Sequence, residues 1–204
     1  MVKENVVEIK VQPIETNTLT VNIEGVTPLL MDKFTTAAEQ QILAKQTGIS
    51  KSNKKNIRNV SEETINAIHY IDVKKNKVGF PSEGFKRGMI ESTSFIGDKF
   101  FSKKLVSGAI KIVNTENGLV PIKYSKQDVL QHNINGNIKF SPQFHNWSCK
   151  LEILYDANNI SPQDIISLLN YSGFYYGVGA WRPKCKGGGS GEFGMYKVVL
   201  KDKK

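Results

Sequence analysis

Alternation between apolar and polar positions predicts four β-strands, at residues 19–27, 105–113, 147–155 and 192–200. The third is the clearest, because its apolar side chains share one face: Trp147, Cys149, Leu151, Ile153 and Tyr155. Residues 6–11 alternate in part and are a candidate partner for the first strand. The pattern therefore predicts a sheet with one buried face.

The segment 161–172 predicts an α-helix with a defined start. Ser161 is the expected N-cap, Pro162 occupies the first helical position, and Asp164 completes a Ser-x-x-Asp capping box. Gly173 predicts the end of the helix. The apolar stripe consists of Ile165, Ile166, Leu168 and Leu169.

A second helix is predicted over residues 82–96, with Ser82 as its N-cap after Pro81. Phe85, Met89 and Ile96 recur at helical spacing on this segment. The helix therefore has an apolar side that can pack against the sheet.

A basic, polar stretch at about residues 30–80 separates the first strand from this helix and is interpreted as an insertion. It contains a helix-favouring segment at 36–47, ended by Gly48, and a candidate hairpin around Lys75–Asn76. Without it the elements follow the order β-α-β-β-α-β. That order predicts a single α+β domain with a ferredoxin-like (RRM-like) core, in which both helices cover one face of an antiparallel sheet.

The charge balance indicates a polyanionic partner. The 204-residue chain carries 28 basic and 19 acidic residues, a formal net charge of +9 and a pI near 9.4. The cations are clustered rather than scattered, so they create a local positive field. The three clusters comprise Lys45, Lys51, Lys54, Lys55 and Arg58; Lys99, Lys103, Lys104 and Lys111; and Arg182, Lys184 and Lys186.

Other classes of protein lack support in the sequence. No run of about 18 apolar residues predicts a membrane span, and the first residues do not resemble a secretory signal. Two cysteines and three scattered histidines predict neither a disulfide framework nor a metal site. We expect no cofactor, and a reducing location in a bacterial host cytoplasm.

Residues 177–194 combine seven glycines with Trp181, Arg182, Lys184 and Lys186. Glycine backbones can lie against phosphates, so Gly188, Gly189 and Gly191 are candidate contacts, and Trp181 offers a face on which a base can stack. The spacing fits neither a P-loop nor a dinucleotide fingerprint. The alternative is a flexible surface loop.

Two further segments are candidate phosphate contacts. Lys86 and Arg87 lie in the first turns of the second helix, where the helix dipole also favours an anion; the alternative is a solvated helix face. Residues 98–104 interleave phenylalanines with Lys103 and Lys104, a pattern that suits single-stranded nucleic acid. Core phenylalanines at a helix–strand junction explain that pattern equally well.

The segment 27–34 follows the first strand and contains Asp32 beside Lys33. A single carboxylate there could deprotonate a ribose 2′-hydroxyl or bind a metal ion. A turn residue or an ion-pair partner is the ordinary alternative. Lys33, with Lys54, Lys55 and Arg58, joins the candidate nucleic-acid contacts.

Two segments together resemble the RAMP superfamily of CRISPR-associated proteins. Pro81, Ser82, Lys86 and Gly88 are similar to a family motif that opens the first helix, and Gly187–Gly194 to a glycine-rich loop before the last strand. Glu91 stands near the position where the family motif has arginine. The sequence is also similar to uncharacterised phage and prophage proteins. The resemblance implies a ferredoxin-like fold and backbone subunits that polymerise along a guide RNA.

The predicted function is binding of single-stranded nucleic acid, RNA rather than DNA, by a homo-oligomer, filament or ribonucleoprotein subunit assembled side by side. No complete catalytic constellation is visible. The alternatives are a metal-dependent endoribonuclease that uses Asp32, a phage sponge for a cyclic nucleotide, and a structural phage component.

Overall fold

The computed structural model describes residues 13–34, 42–44, 46–48, 59–96, 102–134, 137–184 and 191–200. The strands are β1 (Thr16–Gly25), β2 (Leu29–Leu30), β3 (Tyr70–Asp72), β4 (Lys77–Pro81), β5 (Ile110–Ile112), β6 (Leu119–Lys123), β7 (Lys126–Ile134), β8 (Asn137–His145), β9 (Ser148–Asp156) and β10 (Tyr196–Val199). The helices are α1 (Val60–Asn66), α2 (Ser82–Ser92), α3 (Lys103–Ala109) and α4 (Pro162–Tyr171). A 3₁₀ turn (Thr93–Phe95) continues α2, and a π-helical turn (Ser172–Tyr176) continues α4.

The larger sheet has seven antiparallel strands, and β9 is at its centre. Its path is β10-β1-β9-β6-β4-β3. One edge of β9 pairs with β1 along the whole strand, and the other edge is divided between β6, at Ser148 and Cys149, and β5, at Ile153–Tyr155. A second, three-stranded sheet has the order β2-β8-β7. The predicted α+β class is confirmed to the extent that helices combine with an antiparallel sheet.

The core forms where the apolar face of β1 and β9 meets the helices. Leu151 and Ile153 are fully buried on β9, as the alternation predicts, and burial of each such side chain contributes about 1.5–3 kcal/mol. Phe85 of α2 packs against Trp147, with ring centroids 6.5 Å apart, and against Tyr196 of β10, at 5.6 Å. Helices α2 and α4 also pack against each other, so they occupy the same layer.

The strand predicted at 105–113 is wrong in its first half. Residues 103–109 form α3, and only Ile110–Ile112 form a strand. The hydroxyl of Ser102 accepts a hydrogen bond from the Leu105 amide at 3.1 Å, which caps a helix start. The Ser102 cap and the burial of Val106 therefore outweigh the strand-like alternation of the segment.

Helix α2 confirms the prediction at 82–96, but its predicted cap is wrong. Pro81 is the N-cap residue and Ser82 is the first helical residue, and no side chain caps the helix. Pro81 also ends β4, so the chain passes directly from strand to helix. The Ser82 amide instead donates to the carbonyl oxygen of Gly118, 2.9 Å away.

Helix α4 confirms the capping box of Ser161 and Asp164 with Pro162 in the first turn. The α-helix ends at Tyr171, before Gly173 as predicted, but Gly173 does not end the helical course, because a π-helical turn runs on to Tyr176 and Gly177 follows with φ +59°. A Cβ atom on Gly173 would lie 1.9 Å from the Tyr196 carbonyl oxygen. Gly173 therefore permits close packing of this turn on β10.

Segment 30–80 contributes to both sheets. Strand β2 begins just before it and pairs with β8, and β4 pairs with β6 in the larger sheet. Strands β3 and β4 form the hairpin predicted around Lys75–Asn76, with Asn76 at φ +49°. Residues 42–44 and 46 are helical, in agreement with the predicted helix, whereas 6–11 and 36–41 lie outside the described residues. The interpretation of 30–80 as an insertion in one domain stays a prediction.

Candidate nucleic-acid interface

The two ends of the glycine-rich segment 177–194 meet against the chain that follows β1. The Val178 amide donates to the Gly194 carbonyl oxygen at 2.9 Å, and the Gly194 amide donates to Pro28 at 2.8 Å. The Ala180 amide donates to Leu30 of β2, also at 2.9 Å. These bonds fix both ends of the segment to the protein.

The described glycines of this segment allow close contact between backbones. Gly179 has φ +84°, and a Cβ there would lie 2.3 Å from the Leu30 carbonyl oxygen. A Cβ on Gly191 would lie 1.8 Å from the carbonyl oxygen of Trp181. Gly191 thus has a packing role in the described structure. Its predicted partners Gly188 and Gly189, and Lys186, lie outside the described residues.

Three predicted cations from separate segments lie near one carboxylate. Glu91, on α2, accepts a hydrogen bond from Lys103 at 2.5 Å. This bond lowers the pKa of Glu91, and the nearby charges of Lys103, Arg87 and Lys184 lower it further. We call Arg87, Lys103 and Lys184, with Glu91 among them, the basic cluster. It has three positive charges and one negative charge.

Local structure brings the basic cluster together. Arg87 and Glu91 are four residues apart on α2 and so share a face of that helix. The Ser102 cap starts α3 at Lys103. Lys184 lies over the ring of Tyr176, with Nζ 5.1 Å from the centroid. The segments 80–94, 98–104 and 177–194, each predicted separately, therefore meet at this point.

The remaining predicted cations lie elsewhere or have other contacts. Lys86 is half-buried on α2, and the guanidinium of Arg182 donates to the Gly179 carbonyl oxygen at 3.0 Å. Lys104 lines a cavity of about 400 Å³ with Lys111 and Asp156, outside the basic cluster. Lys54, Lys55 and Arg58 lie outside the described residues.

A second group of side chains lies between β2, the hairpin of β7 and β8, and Trp181. Lys139 of β8 forms an ion pair with Asp32, and His132 is opposite Lys139 in the β7–β8 register. The ring of Trp181 packs edge-on against His132, with centroids 4.9 Å apart. We call Asp32, His132, Lys139 and Trp181 the hairpin cluster.

Burial is the main cause that lowers the pKa of His132, and the positive charge of Lys139 acts in the same direction, while Asp32 opposes it. His132 is therefore largely neutral at pH 7. Lys33 lies outside this group: it is exposed, and its charge adds to burial in lowering the pKa of His69. Trp181 is 40% exposed, so part of its side chain remains accessible. Its backbone has φ +53°.

The β7–β8 hairpin was not predicted from the sequence, and neither were the positions of His132 and Lys139 in it. The sequence signal for this hairpin is Asn135–Gly136, because that pair is typical of two-residue hairpin turns. The residues on either side of the pair, Ile134 and Asn137, are paired in register. Among the described residues, no group of three His, Cys, Asp or Glu side chains is placed to bind a metal ion. In the same part of the chain, no helix has the length and apolar character needed to cross a bilayer.

No family model matches the sequence, and no curated protein matches it. Among solved structures, the fold is similar to a chain in a cryo-EM structure of the Type III-B Cmr-beta bound to cognate target RNA, with a TM-score of 0.52 and 12% sequence identity. The alignment covers 91% of this chain and 59% of the other, so this chain spans about three-fifths of that chain's length. A Cas6 product complex matches with a TM-score of 0.34 and 8% identity, over 88% of this chain and 50% of the other.

The similarity to the Cmr-beta chain is one of fold alone. For the fold, this similarity confirms the resemblance to RAMP-type proteins that was noted from the sequence motifs.

Proposed function

We propose that this chain binds single-stranded RNA at the basic cluster. The observation that carries the proposal is that Lys103 contacts Glu91, Arg87 lies one turn before Glu91 on α2, and Lys184 lies over Tyr176, whose hydroxyl contacts the Glu91 main chain. Like charges held together are unfavourable unless a counter-charge is present, and Glu91 offsets only part of the positive charge. A phosphate backbone supplies the missing negative charges, one at each nucleotide.

The fold supports RNA over DNA as the ligand. The Cmr-beta structure that contains the similar chain is bound to target RNA. We infer that this chain likewise works as a subunit of a ribonucleoprotein complex, in which copies assemble side by side along the strand. Contacts to phosphates are independent of base identity, so the binding has low sequence specificity.

We also assign a ferredoxin-like core. The segments β1, α2, β5, β9, α4 and β10 follow one another as β-α-β-β-α-β along the chain. In the sheet, β1 lies between β10 and β9, and β5 pairs with the other edge of β9. This is the strand order of that fold, with β6, β4 and β3 as additions at one side.

The proposal is tested by fluorescence anisotropy with a labelled oligouridine of about 20 nucleotides at several salt concentrations. For single strands, each neutralised phosphate contributes a slope of about −0.7 in log affinity against log salt. The double variant K103A/K184A is expected to bind more weakly and with a slope that is less steep by about 1.4, from two lost contacts. The matched control is K123A/K197A, which also removes two exposed lysines, one on β6 and one on β10. Equal binding by both variants, or a flat salt dependence of the native chain, would refute the proposal.

A second candidate, an endoribonuclease centred on Asp32, gains support from the hairpin cluster. A lone carboxylate needs a partner that donates or accepts protons, and His132 and Lys139 lie beside Asp32. Both ring nitrogens of His132 are buried, so the partly exposed Asp32 and Lys139 are the groups of this cluster that a ribose 2′-hydroxyl can reach. Labelled RNA incubated with the protein and Mg²⁺ tests this candidate. It predicts cleavage at a fixed interval that Asp32→Ala abolishes while affinity for RNA is retained; intact RNA with the native chain would eliminate it.

A further inference from the structure

Beside the basic cluster, four large aromatic side chains are exposed together. Phe174 is 62% exposed, and Tyr175, Phe95 and Tyr171 are 42%, 41% and 38% exposed. Folded proteins rarely leave several large aromatic rings accessible at one place unless the surface binds something. Neither the contacts to phosphate proposed above nor the core uses these rings.

Three of the rings are nearly parallel. Phe95 and Tyr175 stack with centroids 4.1 Å apart and planes 10° apart. The plane of Tyr171 lies within 23° of Phe95 and 21° of Tyr175, with both centroids 6.2 Å away. We call Phe95, Tyr171 and Tyr175 the aromatic platform. Its common orientation is the one that a further planar ring adopts when it stacks on such a group.

The backbone holds the aromatic platform in place. Phe95 projects from the 3₁₀ turn that ends α2, where the hydroxyl of Thr93 donates to the Ile90 carbonyl oxygen at 2.9 Å. Tyr175 lies in the π-helical turn after α4, a backbone form that is frequent at functional sites. That turn is fixed to β10, because the hydroxyl of Tyr196 donates to Ser172 at 2.8 Å. The rings are therefore preorganised, and a ligand need not order them.

The aromatic platform is continuous with the basic cluster. Phe95 packs edge-on against Tyr176, with centroids 6.1 Å apart, and Tyr176 has Lys184 over its ring. The hydroxyl of Tyr176 also reaches the main chain of Glu91, at 3.0 Å. Cations and stacked rings thus occupy adjoining parts of one surface. Single-stranded nucleic acid, which has phosphates and exposed base faces at each nucleotide, complements both parts.

We propose that Phe95, Tyr171 and Tyr175 form a base-stacking site for single-stranded RNA whose phosphates lie on the basic cluster. This inference rests on the proposed function and assigns the base contact to the aromatic platform instead of Trp181. Trp181 packs against His132 in the hairpin cluster, where its ring has a structural partner. Stacking does not read base identity, so the site accepts every base, with purines favoured for their larger rings.

The test compares Tyr175→Ala and Tyr171→Ala with Tyr175→Phe, which keeps the ring. We expect each alanine variant to bind oligoadenosine about five- to 100-fold more weakly, since removal of a stacking ring typically has an effect of that size. The phenylalanine variant should bind as the native chain does. The salt slope should stay unchanged in all three, because stacking releases no counterion, whereas K103A/K184A alters it.

A double-mutant cycle with the ligand isolates the contact. Oligonucleotides with one abasic position, moved stepwise along the strand, remove a base without removing its phosphate. At the position that stacks, the abasic change should weaken binding to the native chain and have no further effect on Tyr175→Ala. If the losses of affinity caused by the abasic change and by Tyr175→Ala add at every position of the strand, the inference is overturned. Ultraviolet cross-linking with peptide mass spectrometry should locate RNA on residues 171–175; a cross-link confined to Trp181 would also overturn it.

The two proposals fail separately. If the native chain binds no RNA at low salt, the proposed function fails and the stacking site with it. If the native chain binds and the alanine variants, shown to be folded by thermal unfolding, bind equally well, only the stacking site fails. The alanine variants could instead differ from the native chain in molecular mass, measured by light scattering without RNA, while their affinity for RNA is unchanged. That result would identify the aromatic platform as a contact between copies of the chain and overturn the inference.

Discussion

The hydroxyl of Tyr176 donates a hydrogen bond to the main-chain carbonyl oxygen of Glu91, 3.0 Å away. This bond connects the π-helical turn after α4 to the last part of α2. Because Lys184 lies over the ring of Tyr176, the bond also relates Lys184 to the helix that carries Arg87. The basic cluster therefore depends on tertiary contacts between elements that are far apart in the sequence.

Replacement of Tyr176 by phenylalanine removes that hydrogen bond and keeps the ring. We expect the free energy of unfolding to fall by about 0.5–1.5 kcal/mol, because one net hydrogen bond is lost while the Ser94 hydroxyl continues to donate to the Glu91 carbonyl oxygen. Urea titration followed by circular dichroism measures the change. Tyr171→Phe is the control: its ring is 38% exposed, and an exposed substitution is expected to stay within about 0.5 kcal/mol. Equal effects of the two variants would contradict the role assigned to the bond.

Neutralisation of Glu91 should strengthen RNA binding. Glu91→Gln removes the one negative charge of the basic cluster and releases Lys103 from its ion pair, so more positive potential faces the strand. Glu24→Gln is the matched control, since Glu24 is an exposed carboxylate on β1 that also pairs with a lysine, Lys197, and changes the net charge equally. Anisotropy at two salt concentrations should show a larger gain for Glu91→Gln at the lower salt. A loss of affinity would mean that Glu91 organises the cations rather than competing with the RNA.

Locally determined features were predictable from the sequence. The apolar face of β9 follows from alternation, and the start of α4 follows from Ser161, Pro162 and Asp164, which act on one another within four residues. By contrast, residues 105–109 alternate like a strand, yet Ser102 and the burial of Val106 favour a helix. Alternation in a short segment does not distinguish a strand from a helix, because the choice depends on which side chains the rest of the protein buries.

The candidate site was predictable only as separate segments. Arg87, Lys103 and Lys184 each belong to a segment that the sequence identifies as basic, but their meeting at Glu91 depends on how α2, α3 and the π-helical turn pack. The aromatic platform has no sequence signature, because Phe95 and Tyr175 are 80 positions apart and become neighbours through the ends of two helices. The residues Gly187–Gly189, on which the prediction of a phosphate loop depends, lie outside the described structure.

Gly179 should be among the positions least tolerant of alanine. Its φ of +84° is unfavourable for any residue with a Cβ, and that atom would lie 2.3 Å from the carbonyl oxygen of Leu30. Gly118 has φ +77°, and a Cβ there would meet no heavy atom within 4 Å, so Gly118→Ala measures the backbone strain alone. We expect about 1 kcal/mol of destabilisation for Gly118→Ala and clearly more, about 3 kcal/mol, for Gly179→Ala. Similar midpoints of thermal unfolding for the two variants would show that the close approach of Gly179 to β2 is unimportant.

Stability should fall as the pH drops below about 6.5, and His132 should account for part of the loss. Burial and the charge of Lys139 lower the pKa of His132 from its ordinary value of 6.5. The unfolded chain therefore takes up a proton at a higher pH than the folded chain, so the stabilisation is fully present above 6.5 and is lost as the pH falls through the folded pKa.

His132→Phe keeps an aromatic ring against Trp181 and cannot titrate. Between pH 7.5 and 5, its midpoint of thermal unfolding should decline less than that of the native chain. Burial and Lys33 also lower the pKa of His69, so a residual decline is expected in His132→Phe and should shrink again when His69 is replaced as well. Identical pH profiles for the native chain and His132→Phe would mean that the imidazole of His132 is as accessible to protons in the folded protein as in the unfolded chain, which is incompatible with its position between Trp181 and Lys139.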